Sequence, residues 1–235
     1  MTLSVIPIEG IGEIRPADEI AVVVADAARA QGTPLADGDC LVVTQKIVSK
    51  AEERLVPLDP DDLDARRALV ESESVRVVRR RGDLIISETR HGFVCANAGV
   101  DLSNVERGWA ALLPIDSDRS AKHIRDAMRA RESIEVAVII SDTFGRPWRR
   151  GLTDVAIGVS GIAAVVDLRD TTDALGRVLQ VTEVAVADEI ASAAELVMGK
   201  STGVPVAIVR GFDPAWLRDG SVRELIRPTN EDLFR

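Results

Sequence analysis

Near the middle of the chain the run Ser141-Asp142-Thr143-Phe144-Gly145-Arg146-Pro147-Trp148-Arg149-Arg150-Gly151 gathers a carboxylate, hydroxyls and three guanidinium groups. It begins where the apolar stretch Val136 to Ile140 ends, so a strand delivers it. Oxygen ligands suit Mg²⁺ or Mn²⁺, and guanidinium groups pair with carboxylate or phosphate oxygens. The segment therefore has the parts for handling a metal-bound phosphate. A second segment, Ala98-Gly99-Val100-Asp101-Leu102-Ser103-Asn104, offers Asp101 and Asn104 in a glycine-containing loop. The competing reading makes Asp101 and Asp142 turn residues that cap local N–H groups, and the arginines surface ion pairs.

Three further segments carry weaker signals. Thr44-Gln45-Lys46-Ile47-Val48-Ser49-Lys50 continues an apolar strand and carries two lysines, which edge-strand solubility alone would explain. Gly10-Ile11-Gly12-Glu13 is a glycine-bearing loop that lets a backbone approach a ligand. Gly199-Lys200-Ser201-Thr202 has the tail of a phosphate-binding P-loop, but Ala194 stands where the motif needs glycine. The segment also closes a helix instead of opening one. A helix C-terminus repels bare phosphate and suits a cation or a metal-bound phosphate.

Composition narrows the function classes. The 235 residues are 46% hydrophobic and carry a formal charge of -9, which disfavours a nucleic-acid backbone as partner. The basic run Arg79-Arg80-Arg81 has no interleaved aromatic residues, and reads as a solvated helix end. No apolar run approaches the roughly 18 to 20 residues of a membrane span, and the N-terminus lacks the pattern of a secretory signal. A cytoplasmic protein is expected. Cys40 and Cys95 read as buried thiols, and with His91 and His123 at no ligand spacing a zinc site is excluded. The two histidines read as surface or satisfied core residues.

The elements that must position these residues alternate between strand-like and helix-like. Ile20, Val23, Val24 and Ala27 recur at helical spacing, with Asp18 as a candidate cap. Cys40 to Val48 reads as one buried strand, residues 62–79 as a helix, and Leu84 to Ser87 with Gly92 to Ala96 as two short strands. Ala110 to Pro114 and Glu135 to Ile140 read as strands flanking a helix from Asp118 to about Arg131. Val155 to Val159, Ala163 to Asp167, Val178 to Val186 and Val204 to Val209 are strand-like, Ala187 to Met198 is helical, and Val222 to Ile226 forms a short helical turn. The order lacks a strict βαβ rhythm. The expectation is an α/β protein in the broad sense, or α+β, with mixed sheets and helices on their faces. One domain over 1–235, allowing two subdomains, is expected in the absence of a linker.

Taken together these segments resemble the coenzyme F420 gamma-glutamyl ligase family. The resemblance rests on Pro7 to Pro16, Asp39 to Lys50, Ala98 to Asn104, Ser141 to Gly151, Thr182 to Glu189 and Pro205 to Gly211, in the family's order. It looks closest to the N-terminal half of the actinobacterial bifunctional version, in which a nitroreductase-like domain follows. On that footing the chain is either a stand-alone ligase or an excised domain.

The resemblance implies an intertwined homodimer that joins L-glutamate to a deazaflavin precursor of F420 using GTP, through an acyl phosphate. It implies two divalent ions, Mg²⁺ or Mn²⁺, with K⁺ as a further ion. Asp101 and Asp142 would hold one divalent ion and Thr143 would help hold the second. Ile11, Gly12, Glu13, Ile14, Gln45, Lys50 and Asn104 would contact the guanine nucleotide, as would the loop Gly199, Lys200, Ser201, Thr202 and Gly203. Lys200 departs from the oxygen ligand expected beside the second ion. Lys50 and Arg149 are the candidates for neutralising phosphate or carboxylate charge. Two alternatives stay open: a metal-dependent NTPase or carboxylate kinase acting on another acid, and a non-catalytic nucleotide-binding dimer.

Overall fold

The computed structural model describes residues 2–233. In chain order the elements are β1 (Ser4–Pro7), α1 (Ile20–Ala30), β2 (Cys40–Thr44), α2 (Gln45–Ala51), β3 (Leu55–Pro57), α3 (Leu63–Ser72), β4 (Ser74–Arg81), β5 (Leu84–Thr89) and β6 (Val94–Ala96). They continue with β7 (Trp109–Ala111), α4 (Ser117–Glu132), β8 (Ala137–Gly145), β9 (Leu152–Ser160), β10 (Val166–Asp167), β11 (Glu183–Val184), α5 (Val186–Met198) and β12 (Val206–Arg210). The central sheet has the order β1-β12-β2-β8-β9. Only β2 and β8 run parallel in it; the other pairs are antiparallel.

Period-two alternation splits the central strands between two cores. Leu41, Val43, Val138, Ile140, Val206 and Ile208 face α1 and α4, where they meet Val24, Ala28, Ile124 and Met128. Cys40, Val42, Ala137, Ile139, Ala207 and Val209 face α5, against Ala187, Ile190, Ala191 and Ala194. The result is a mixed α/β architecture with helices on both faces, as the residue pattern predicts. A third core lies around Leu58, Val70, Ile85, Val100, Ala110 and Leu112, between α3 and the smaller sheets β3-β7 and β4-β5-β6.

Side chains finish the outer edge of β9, whose second half is buried. Asp118 accepts from the Val159 amide at 2.8 Å and Asp188 from the Ala156 amide at 2.9 Å, so two free edge donors are capped rather than offered to another strand. Gly158 is required beneath them, because a Cβ there would meet the Ser117 carbonyl oxygen at 2.4 Å. The start of α4 thus rests directly on β9.

Several boundaries differ from the sequence reading. The strand expected over Cys40 to Val48 ends at Thr44 and turns straight into α2, so Lys46 and Lys50 lie buried on a helix and not on a soluble edge. The helix expected over 62–79 stops at Ser72, where the Ser74 hydroxyl bonds Val70 O at 2.6 Å and the chain enters β4. Arg79-Arg80-Arg81 are therefore strand residues, exposed at the edge of a three-stranded sheet. The strands expected over Ala163 to Asp167 and Val178 to Val186 shrink to the two-residue pair β10-β11. Asp18 accepts from the Arg15 amide at 2.7 Å and does not cap α1, whose first residue follows an uncapped Glu19. No helix among the described residues is long and apolar enough to cross a membrane.

Candidate active site

Crevices in α/β sheets form beyond the carboxyl ends of parallel strands. Here β2 delivers Gln45 and Lys46 to that end without an intervening loop, and β8 delivers Asp142 and Thr143 beside them. Because β9 runs antiparallel to β8, its beginning lies at the same end, with Asp154 registered opposite Thr143. The loop after β6 adds Asp101, tied by a two-way backbone bridge to Ala111, with bonds of 3.0 and 2.8 Å. Gly99 bends that loop at φ +73°, where any Cβ would collide with Leu113 at 2.7 Å.

Two clusters fill this end. In the first, the Lys46 ammonium donates to Asp101 Oδ2 and to the Ser103 carbonyl, while Ser103 donates to Asp101 through its amide at 2.7 Å and its hydroxyl at 3.0 Å. Burial alone would raise the Asp101 pKa, but these donors hold it below the usual carboxylate range. Asp142 lies in the opposite regime. Burial pushes it up to about 7, against its bond from the Thr143 amide, and the negative charges of Asp101 and Asp154 add to the rise. The Lys46 ammonium tempers that rise. The same burial, helped by Asp142, pushes the Cys95 thiol up to about 12, and burial raises Cys40 as well, so neither is a nucleophile.

The second cluster centres on Asp154, which is 3% exposed. It accepts from Thr143 Oγ1 at 2.6 Å, Ser141 Oγ at 3.2 Å and Lys200 Nζ at 2.7 Å. Lys200 also reaches Glu195 at 2.8 Å and donates to Thr143. An ammonium group therefore stands at Thr143, where the resemblance implies a second divalent ion.

The remaining expected residues divide. Asn104 Nδ2 lies 3.5 Å from the Lys200 carbonyl, joining the Asp101 loop to the Gly199–Gly203 turn. Within that turn the Thr202 hydroxyl bonds Met198 O, the last residue of α5, so the segment does close a helix. Glu13, from the Ile11–Ile14 loop, pairs with Lys50, whose stem is buried. Gln45 is 1% exposed and spends its amide on Leu112 O at 2.9 Å and Ser49 Oγ at 2.6 Å, which is an architectural task. Arg149 sits on the exposed turn between β8 and β9, where Arg146 instead binds the Arg150 carbonyl at 2.7 Å.

Sequence reasoning missed Lys46, Asp154 and Glu195 as members of the site. Lys46 had a signal, its place in the Thr44 to Lys50 segment. Asp154 becomes visible only once the β8–β9 register is known. Among the described residues no three Asp, Glu, His or Cys side chains converge on one metal position. Asp101 and Asp142 still fit a hard divalent ion that takes its remaining ligands from phosphate oxygens and water, as Mg²⁺ usually does.

Fold and site together define a mixed α/β protein with a cluster of charged side chains at the carboxyl ends of the one parallel strand pair among the described residues. The model of the F420-0:Gamma-glutamyl ligase family matches residues 10–211. The chain belongs to that family. It is 46% identical to the coenzyme F420:L-glutamate ligase of Methanothermobacter thermautotrophicus over the whole of both chains. It is 41% identical to the ligase of the same name from Methanopyrus kandleri, over all of this chain and 98% of the relative. A third such ligase, from Methanocaldococcus jannaschii, is 41% identical over 86% of each chain.

Proposed function

We propose that this chain adds L-glutamate to the F420-0 precursor of the deazaflavin coenzyme, and then adds a second, γ-linked glutamate, with GTP as the activating substrate. Membership of the ligase family carries the reaction class. One structural observation supports the site: Asp101 and Asp142 converge at the carboxyl ends of β2 and β8, close enough for the charges of Asp101 and Lys46 both to act on Asp142.

A carboxylate is a poor electrophile. In the proposed sequence the γ-phosphoryl group of GTP passes to the terminal carboxylate of the acceptor, giving an acyl phosphate and GDP. The α-amine of glutamate attacks the acyl carbon, the C–O bond to phosphate breaks, and the amine proton is lost as the amide forms. Asp101 and Asp142 would hold Mg²⁺ or Mn²⁺, which supplies charge neutralisation on the phosphates. Lys46 keeps Asp101 ionised and oriented. Lys50, released from Glu13, and Arg149, on its exposed turn, neutralise phosphate or carboxylate oxygens. The Ile11–Ile14 loop, Asn104 and the Gly199–Gly203 turn flank the nucleotide. A second divalent ion would have to displace Lys200 from Thr143 and Asp154, so we place the Lys200 ammonium there as the resident charge. We place the reaction in the cytoplasm, in a homodimer.

Product analysis tests this reading. Incubation with GTP, Mg²⁺, L-glutamate and F420-0 is expected to give GDP and a deazaflavin heavier by one or two glutamyl residues in mass spectra. GDP release without that mass increment would make the protein a carboxylate kinase or NTPase instead. No turnover and no nucleotide binding would contradict both.

A further inference from the structure

The turn 146–151, which joins β8 to β9, carries a side chain that packing within the fold does not explain. Trp148 is 83% exposed, against 38% for Trp109, although tryptophan is mostly buried in folded proteins. Its backbone is left-handed as well, at φ +59°, a region that a bulky residue rarely enters. A strained backbone that holds a large aromatic ring out in water points to a ligand, because burial within the fold compensates neither feature.

Neighbouring residues hold that ring in place. Pro147 fixes φ just before the indole, and the Arg146 guanidinium reaches across the turn to the carbonyl oxygens of Arg150 at 2.7 Å and Gly151 at 3.5 Å. The Arg149 amide donates to Arg146 O at 3.3 Å and closes the bend. Arg146 is thereby committed to the backbone, whereas Arg149 and Arg150 are exposed and make no ion pair among the described residues. Two guanidinium groups beside an exposed indole suit a planar heterocycle that carries negative charge.

The ladder between β8 and β9 sets the distance from the reacting groups. It pairs Thr143 with Asp154 and runs on to Gly145 opposite Leu152, itself 68% exposed. Three residues of strand at ~3.3 Å each put Gly145 roughly 10 Å beyond Asp142, and the turn lies farther out. A ring bound there is separated from Asp101 and Asp142 by the length of a tether. Residues 11–14, 104 and 199–203, which flank the nucleotide in the ligase reading, belong to other elements.

We propose that Trp148 is the stacking surface for the deazaflavin ring of the acceptor, with Arg149 and Arg150 meeting the anionic tether that leads from the ring to the reacting carboxylate. Trp148 sets how tightly the acceptor binds and takes no part in bond making. The assignment takes the ligand's identity from the ligase reading, but its first test needs no turnover.

Titration calorimetry of F420-0 into the whole chain, with GDP and Mg²⁺ present and glutamate absent, measures the contact directly. The wild type is expected to bind one per chain, and Trp148→Ala, checked for an unchanged melting curve, to bind roughly fivefold to a hundredfold more weakly, the range that loss of one stacking partner gives. Trp148→Phe keeps an aromatic face and is expected to recover most of the affinity. In steady-state ligation Trp148→Ala is expected to raise KM for F420-0 by the same factor, with kcat and the KM for GTP unchanged. Equal affinity of the wild type and Trp148→Ala for F420-0 would overturn the proposal. A raised KM for GTP alone would make the indole a guanine contact and overturn it equally. A smaller sedimentation coefficient for Trp148→Ala with an unchanged KM would assign the ring to a contact between copies of the chain, and overturn it too. The two readings fail separately. Binding of F420-0 through Trp148 without any glutamyl product from the wild type would refute the ligase and leave the stacking surface standing; ligation that is indifferent to Trp148→Ala would do the reverse.

Discussion

At the scale of single residues, the site is governed by which carboxylates already own a cation. Asp101 has Lys46 and Asp154 has Lys200, while Asp142 feels the Lys46 charge without an ion pair among the described residues. Asp101→Asn is expected to cut ligation at least about a hundredfold, because phosphate neutralisation is worth several kcal/mol, while leaving the circular dichroism spectrum unchanged. A pH effect follows from Asp142. Its folded pKa, about 7, exceeds the ordinary 3.8, so between those values the folded chain holds a proton that the unfolded chain has lost. Its contribution to stability is therefore present at low pH and disappears as pH rises through 7. In metal-free buffer Asp142→Asn is expected to melt like the wild type near pH 4 and at a higher temperature above pH 7. Equal melting at both pH values would contradict the assignment. Asp101, Asp142, Thr143 and Lys200 were readable as residues because carboxylates, hydroxyls and lysines in loops after strands advertise themselves. Lys46, Asp154 and Glu195 were not, because their roles depend on a helix start, a strand register and a helix end that sequence spacing leaves open.

At the scale of elements, the sheet is locked by an ion pair that no motif announced. Asp39, 1% exposed just before β2, receives both Nε and a terminal nitrogen of Arg210 from the end of β12, at 2.6 and 2.7 Å. Removing the arginine strands a buried carboxylate. Arg210→Ala is expected to cost about 2 to 3 kcal/mol in urea unfolding, somewhat less than a fully buried pair because Arg210 is partly exposed. A change below about 0.5 kcal/mol would mean that water replaces the guanidinium there. The misread elements have one physical origin. Residues 62–79 place Leu69, Val70, Val77 and Val78 at spacings a helix accepts, and only pairing of β4 with β5 turns the second half extended. Similarly the apolar run from Cys40 through Val48 conceals the change to α2, since Ile47 and Val48 are buried in either conformation. The Gly199–Gly203 turn was read more securely because a helix end has its own chemistry. Lys200→Met is expected to raise the number of Mn²⁺ ions bound in the presence of GDP from one to two per chain, by freeing Thr143 and Asp154. An unchanged count of two in the wild type would show that the ammonium yields to metal.

At the scale of the whole molecule, the mixed α/β class was legible because continuous apolar runs mark the central strands and amphipathic spacing marks α1, α4 and α5. The topology was not legible, since the parallel meeting of β2 and β8 joins segments almost a hundred residues apart. That meeting is what brings the Asp101 loop, the Asp142 strand end and the α5 terminus together, and the family match gives the site its reaction class. The account therefore depends on Asp101 and Asp142 serving one cation beside the nucleotide. Electron paramagnetic resonance of Mn²⁺ titrated into the protein with GDP measures this directly. The wild type is expected to bind the ion with GDP, and Asp101→Asn and Asp142→Asn each to lose that binding. Unchanged Mn²⁺ affinity in both variants would contradict the account.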